Sequence, residues 1–436
     1  MLDRHRRRSG IPFLALGAVA AIVVTGCSAG GGEPTGEAEE VTIRFNWWGA
    51  DARHALTQEA IALFEEEHPN ITVQAEFSNY ADYWNKLSTG AASGDLPDVL
   101  QIVDPFMYSY IDNGQLLDLT EVSEQLPLDG FTEQALAFVE SDGGIYGVPA
   151  GLTAFGVSAD PTVFEAAGVE FPDGETWTWD DWIELSAEIS AASPGIEGSA
   201  IPLDEQAFTV WLRQHGENFW SDDATDVGFT VDTAAAYWEW LLELRDSGGV
   251  PSVEAAIERQ SAGGSMEQSA IGTGVGAMQV GLSGQQALLE ETVGHEVGLL
   301  FFPGEAGAES TGIFSKPGLF YGVSAGSEHP EEAAMLVDFL ANSEAVGELF
   351  KFDRGVPANG DVLEAITPDL SEAEQRVAAY MQLIEEQEPT PFPRANVDAG
   401  AIASPTFARI NQDVLFDRLT PEEAAEQFIA ELRAEM

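Results

Sequence analysis

The sequence predicts an α/β chain folded as two lobes around a central cleft, with three crossings between them. Three observations carry this. First, the runs Val41–Phe45, Ile71–Phe77 and Asp98–Val103 are separated by stretches with apolar residues at helical spacing. That strand–helix–strand order implies parallel pairing through right-handed crossovers. Second, a separate alternation of helices and strands begins after Ser158. Third, Gly- and Pro-rich breaks fall at 150–154, 315–319 and 354–358. A chain that passes between two lobes at such breaks has a cleft there and hinges at the crossings.

The elements follow in order. Residues 1–26 read as a signal segment. Arg4, Arg6, Arg7 and Arg8 make a basic start, and Ile11–Val24 is an apolar run too short to span a bilayer comfortably. Cys27 is the one cysteine, and it follows Val24-Thr25-Gly26 where cleavage is expected. The pattern resembles a bacterial lipobox, in which that cysteine becomes the lipid-bearing N-terminus. It places the protein outside the cytoplasm, anchored to the outer face of the cell membrane. Residues 28–40 are small, Gly-rich and acidic, and read as a flexible tether.

The strand Val41–Phe45 ends at Asn46-Trp47-Trp48-Gly49-Ala50-Asp51-Ala52-Arg53, just before a helix with Leu56, Ala60, Leu63 and Phe64 on one face. The carboxyl ends of strands in open α/β sheets are where ligands bind. Two indoles, a carboxylate and a guanidinium on such a loop suit a sugar, with apolar ring faces and hydroxyl edges. Side chains alternate along a strand, so Trp47 and Trp48 point to opposite faces. Ile71, Val73, Ala75 and Phe77 alternate as a second strand with one buried face, closed by Ser78-Asn79-Tyr80. Asp104-Pro105-Phe106 leaves the third strand. All three loops therefore gather at one sheet edge.

Beyond residue 158, Asp160-Pro161 opens a helix that Gly168 ends. Thr178-Trp179-Asp180-Asp181 opens another, with acids in the first turn that complement the helix dipole. Trp177, Trp179 and Trp182 read as helix packing. Helices at 207–215 and 233–246 flank the acidic loop Ser221–Asp226, which lacks the spacing of a calcium loop. Ala277–Gly281 reads as a strand whose exit, Gly281–Ser283, leads into a helix. Leu319–Ser324 is a strand, and Ala333, Leu336, Val337 and Leu340 share a helix face. Thr420, Pro421 and Glu423 supply a cap, a first-turn proline and a capping-box acid to the last helix.

Charge excludes some partners. Four of the 18 basic residues and one of the 74 acidic ones precede residue 27, which leaves a net charge of −59 on the remainder. Nucleic acid and anionic surfaces are poor partners for such a body. The acids are spread rather than blocked, as on a solvated surface. No pair among the six His has metal-ligand spacing, and no Gly-x-Ser-x-Gly nucleophile loop occurs. The carboxylates include no pair marked out by context as a glycosidase acid and base. Neither a metal nor another cofactor is expected.

Several fragments, in order, resemble one family. They are Trp47-Trp48-Gly49, Tyr83-Trp84-x-Lys86-Leu87, Gly94-Asp95-x-Pro97-Asp98-Val99 and Asn113-Gly114-x-Leu116-Leu117. Ile145-Tyr146-Gly147-Val148-Pro149, Glu165-x-Ala167-Gly168-Val169 and Phe320-x-Gly322-Val323 continue the series. Together, over roughly residues 41–434, they look like the extracellular solute-binding lipoproteins of bacterial ABC sugar importers, the maltodextrin- and oligosaccharide-binding type. The resemblance implies a periplasmic-binding-protein-like fold whose lobes close on a sugar. It implies a carbohydrate ligand, an ABC permease as partner, a monomer and no catalysis.

By resemblance, ligand positions of the first lobe fall on Trp48, Asp51, Arg53 and Asp104. Those of the second lobe fall on Asp204, Gln206, Gly281 and Ser283, with a late one near Ala401. Relatives often carry an aromatic at the 281–283 turn, where this chain has Gly-Leu-Ser. Stacking is therefore expected mainly from Trp48, Tyr80 and Phe106. Arg53 either holds a uronate carboxylate or pairs with a neighbouring acid. The expected lobes are 41–150 with 319–354, and 151–318 with 355–436. On the residues alone two other classes stay open: a lipid-tethered glycan-degrading enzyme, and a receptor for another solute such as a polyamine or ferric ion.

Overall fold

The computed structural model describes residues 40–261, 266–304, 310–387, 389–390 and 392–436. The signal segment, Cys27 and nearly all of the tether lie outside them.

Strands β1 (Val41–Trp48), β2 (Ile71–Ser78) and β3 (Val99–Ile102) pair in parallel, with β1 in the middle. Helices α1 (Asp51–Glu67) and α2 (Tyr80–Ser93) make the two crossovers, and α3 (Asp104–Asp112) follows β3 directly. Asn79, expected to close the second strand, is the N-cap of α2, accepting from the Asp82 N–H. The second strand buries only its first half. Ile71 and Val73 are inside, but Ala75 and Phe77 are exposed.

After the short helix α4 (Glu133–Ala137), a hairpin of β4 (Glu140–Ser141) and β5 (Gly144–Ile145) leads to β6 (Val148–Ala159). Strand β6 belongs to both lobes. Val148, Leu152 and Ala154 lie in one hydrophobic core, and Val157 and Ala159 in the other.

The second core is built from helices α5 (Pro161–Ala167), α6 (Trp179–Ala192), α7 (Gln206–Gln214) and α8 (Val231–Asp246), followed by α9 (Val253–Ser261). Strands β7 (Met278–Leu282) and β8 (Gly298–Leu300), separated by α10 (Gln286–Val293), pair with the far half of β6. Thr178 caps α6 in a reciprocal capping box with Asp181. Trp177, Trp179 and Trp182 stack inside this core, as the packing reading expects.

The chain returns through β9 (Ser315–Val323), antiparallel to both β6 and β3, then α11 (Pro330–Asn342) and α12 (Glu344–Phe350) on the first core. Short β10 (Val356–Pro357) pairs with β6 at Gly151–Leu152. This contact needs two glycines. Gly355 has φ +99°, and a Cβ on Gly151 would lie 2.6 Å from the Arg354 carbonyl oxygen.

The chain does not leave the first core at 354–358. Helix α13 (Gly360–Ile366) packs beside β10, and α14 (Glu372–Glu386) buries Val377, Tyr380, Met381 and Ile384 in the first core. The chain reaches the second core beyond 386, where α15 (Val397–Leu415) and α16 (Pro421–Ala434) complete it. The Gly-Pro signal at 354–358 marks a tight turn against β6, while the passage itself runs through the Pro- and Phe-containing stretch before α15.

Candidate functional site

The first half of the site is an aromatic shelf at the carboxyl edge of the parallel strands. Trp47 and Trp48 take opposite faces. Trp47 is fully buried, its Nε1 donating to His54 Nδ1 at 3.1 Å, between the rings of Phe45 and Phe77. Trp48, 8% exposed, turns to the α2 face, with ring centres of Tyr83 at 5.1 Å, Tyr80 at 5.6 Å and Trp84 at 5.8 Å. Trp84 in turn lies 4.1 Å from Phe106 at the start of α3. Tyr80 is 49% exposed and Phe106 36%. Three βα junctions thus present one continuous run of rings, with its outer members open to solvent.

Trp84 is the member that the sequence named only within a family fragment, not as a ligand-facing ring. The signal was present: it lies four residues after Tyr80, so both sit on one face of α2. Its Nε1 is enclosed and has no partner among the described residues.

The polar residues of this loop divide. Asp51 opens α1 and is exposed. Arg53 folds back over Gly49 and ion-pairs with Asp353 at 2.9 Å, also donating to its carbonyl. Asp353 is shared with Arg354, whose other nitrogen reaches Thr57 Oγ1. Of the two readings of Arg53, the structure therefore carries the neighbouring acid, and the uronate clamp is set aside. Asp104 follows the third strand and begins α3; its side chain lies outside what is described.

The second half of the site lies at the entrance to α7. Asp204 accepts weakly from the Gln206 N–H at 3.4 Å. Burial, assisted by the adjacent Glu205 charge, raises its carboxyl to about 6. Gln206 and Glu205 line a cavity of about 140 Å³ together with Tyr108, Trp220, Lys316 and Ser404. A water needs roughly 10–15 Å³ by such a measure, so this is room for about one sugar ring. Ser404 donates to Glu205 Oε1 at 2.5 Å. The late position near Ala401 falls in the first turns of α15, between the cavity-lining Gly400 and Ala403.

Two expected second-lobe residues serve the scaffold instead. Ser283 is 1% exposed, and its Oγ accepts from the Ala154 N–H. Gly281 pairs with Gly156 of β6, and a Cβ there would fall 2.1 Å from Ser158 Oγ. Both positions hold β7 and the following turn against β6. Trp220 and Lys316, which line the cavity, were missed. Trp220 precedes the acidic loop weighed for calcium, and Lys316 sits in a break read only as a hinge.

The two halves meet through α3 and the stretch before α15. Phe106 of the shelf and Tyr108 of the cavity lie two residues apart on α3, on different sides of it. The Arg394 guanidinium lies 4.2 Å from the Tyr108 ring centre and ion-pairs with Asp112. Phe392 lies between Phe138 of the first core and Phe314 of the second. Among the described residues, no group of three or more His, Cys, Asp or Glu could hold a metal. No described helix is long and apolar enough to cross a membrane.

Comparison with known proteins places this geometry. Residues 59–379 match the family model described as bacterial extracellular solute-binding protein. A lactose-binding protein of Rhizobium radiobacter is 28% identical over 203 residues, 45% of this chain and 46% of that protein. The match therefore spans less than half the length of that relative. An uncharacterized lipoprotein from the oleD 5′ region of Streptomyces antibioticus is 24% identical over 80% of this chain and 76% of its own. The solved structure of a family 1 extracellular solute-binding protein from Alicyclobacillus acidocaldarius superposes with a TM-score of 0.74. It is 26% identical and covers 91% of this chain and 98% of its own.

Proposed function

The chain belongs to the bacterial extracellular solute-binding proteins, and on that premise we propose that it captures a sugar of oligosaccharide size between its lobes for an ABC permease.

The observation that carries this is the pairing of a ring shelf (Trp48, Tyr80, Trp84, Phe106), open to solvent at Tyr80 and Phe106, with a cavity that both cores line and that mixes aromatic rings with Glu205, Gln206 and Lys316. Aromatic faces stack on the C–H faces of a sugar, and carboxylates and amides accept and donate to its hydroxyls. The lactose-binding relative supports a sugar as ligand.

In this reading Trp48, Tyr80 and Phe106 stack on the ligand from the first lobe, with Asp51 and Asp104 as further ligand positions on that side. Gln206, Glu205 and Trp220 meet it from the second. The first lobe takes in α13 and α14 as well as 41–150 and 319–354, and the second holds 159–314 and 392–436. A ligand touching both lobes stabilises only the arrangement in which they are together. Binding therefore shifts the population toward the closed form, which the permease reads. Lipid on Cys27 holds the monomer at the outer face of the membrane, and Cys27→Ala releases it to the soluble extracytoplasmic fraction.

Calorimetry and Trp fluorescence with a panel of mono- and oligosaccharides test the reading. Saturable heat with a fluorescence change supports it; silence across the panel sinks it. Release of new reducing ends from a polysaccharide would instead make the protein an enzyme.

A further inference from the structure

Positive charge in this protein is scarce and, with few exceptions, neutralised. Fourteen basic residues remain after residue 26. Among the described residues, eleven of these have a carboxylate within ion-pair distance. The three that do not are Lys86, Arg213 and Lys316. Lys86 is exposed on α2 and is not among the residues that line the cavity. The other two belong to the cavity.

Lys316 lines it directly, half-buried, with its ammonium 6.0 Å from the Phe155 ring centre. Arg213 stands behind the wall. Its guanidinium lies 5.2 Å from the Phe314 ring centre and 5.4 Å from that of Phe392, and both rings line the cavity. Its hydrogen bonds go to neutral oxygens: the Gly312 carbonyl, Asn218 Oδ1, and the carbonyl and Oγ1 of Thr390. A buried cation without a counter-ion is costly, and burial lowers Arg213 to about 10. Facing these two is one cavity carboxylate, Glu205, which already accepts from Ser404 and Gln206. In a body of net charge −59, this is a place built to keep positive charge uncompensated.

We propose that the ligand is an acidic saccharide of the uronic-acid type, with Lys316 pairing its ring carboxylate and Arg213 sustaining the positive field behind the aromatic wall. The inference rests on the sugar reading above and deepens it. A neutral sugar would leave both cations unmatched, whereas a carboxylate supplies the charge-assisted hydrogen bond that Lys316 lacks.

The test uses the full mature chain in calorimetric titrations. The probes are digalacturonate, diglucuronate and dimannuronate, each against its neutral disaccharide and a sulfated one. At least one uronide is expected to bind roughly ten-fold or more tighter than its neutral twin. Lys316→Gln should bring that ratio close to one while leaving the melting temperature in place. Lys86→Gln, a cation away from the cavity, should leave the ratio as it is. Four results overturn the proposal: neutral sugars binding as tightly as every uronide, a ratio that survives Lys316→Gln, an equal loss in Lys86→Gln, or a preference for sulfate over carboxylate. In each of these the sugar reading stands. If no saccharide, acidic or neutral, binds, both fall together.

Discussion

Replacing Asp204 with asparagine should stabilise the protein at neutral pH and do little at acid pH. Burial is the main reason its carboxyl sits at about 6 rather than at the usual 3.8, and the neighbouring Glu205 charge is the second. The sign follows from proton counting. Between about pH 4 and 6 the folded chain still holds this proton and the unfolded chain has lost it. Stability therefore falls as pH rises through that window, by about 1.4 kcal/mol per unit. Above about pH 6 both states are ionised, and the whole penalty, on the order of 3 kcal/mol, is present. Asparagine removes the charge at nearly constant shape. The Tyr237 hydroxyl, enclosed without a partner among the described residues and electrostatically coupled to Asp204, then no longer faces an anion. Urea unfolding of both proteins, followed by Trp fluorescence at pH 4 and pH 7.5, reads the difference. The many other carboxylates titrate alike in the two proteins and cancel. The Asp204→Asn protein should be more stable by about 2–3 kcal/mol at pH 7.5 and by less than about 1 kcal/mol at pH 4. A pH-independent difference, or a loss of stability at pH 7.5, would show that burial does not set this carboxyl's proton affinity.

The two adjacent indoles should separate stability from binding. Trp47→Ala removes a fully buried ring and a hydrogen bond, so urea unfolding should show a loss of about 3–5 kcal/mol with the sugar affinity of the folded fraction little changed. Trp48→Ala should lower sugar affinity far more; equal calorimetric effects would mean the two faces are misassigned. Asp353→Ala should cost about 3–5 kcal/mol, more than Arg53→Ala, because it strips the charge partner from Arg354, whose side chain is only 3% exposed. Equal losses in denaturation would place the weight on Arg53 instead.

Much of the fold was legible because it is local. The parallel order of β1, β2 and β3 followed from alternating and helical spacing within one short stretch of chain, and the caps at Thr178 and Thr420 from short motifs. The shelf was legible for the same reason: its loops leave consecutive strands at one edge. The second half of the site was not, since its members come together only in space. Glu205, Trp220, Lys316 and Ser404 are brought into one cavity by β9 and by the start of α15. Nothing in the neighbourhood of Lys316 marks it, and its meaning depends on which acids fail to reach it. Ser283 and Gly281 show the converse. The family resemblance suggested ligand contact there, but the long crossing strand β6 lies directly against them and uses the serine's hydroxyl and the glycine's missing side chain.

How firmly the lobes are held without ligand decides whether closure can be ligand-driven. The Arg394–Asp112 pair joins the first core to the stretch entering the second, but the two side chains are 31% and 50% exposed. A pair so open to water is worth about 0–1 kcal/mol. The Phe138–Phe392 contact beside it has ring centres 6.3 Å apart, at the outer part of the range for ring pairs. Contacts this weak do not lock the lobes together, so on the proposed closure a ligand that gains a few kcal/mol from touching both lobes can shift the population strongly. Asp112→Ala should then weaken sugar binding by no more than about five-fold, the equivalent of about 1 kcal/mol, and leave the unfolding free energy within about 1 kcal/mol of the parent. Small-angle scattering of the unliganded variant should move toward a larger radius of gyration, and saturating sugar should restore the parental value. A variant whose scattering stays unchanged with and without sugar would show that this pair takes no part in closure; one that loses binding altogether would show that the lobes depend on the pair rather than on the ligand.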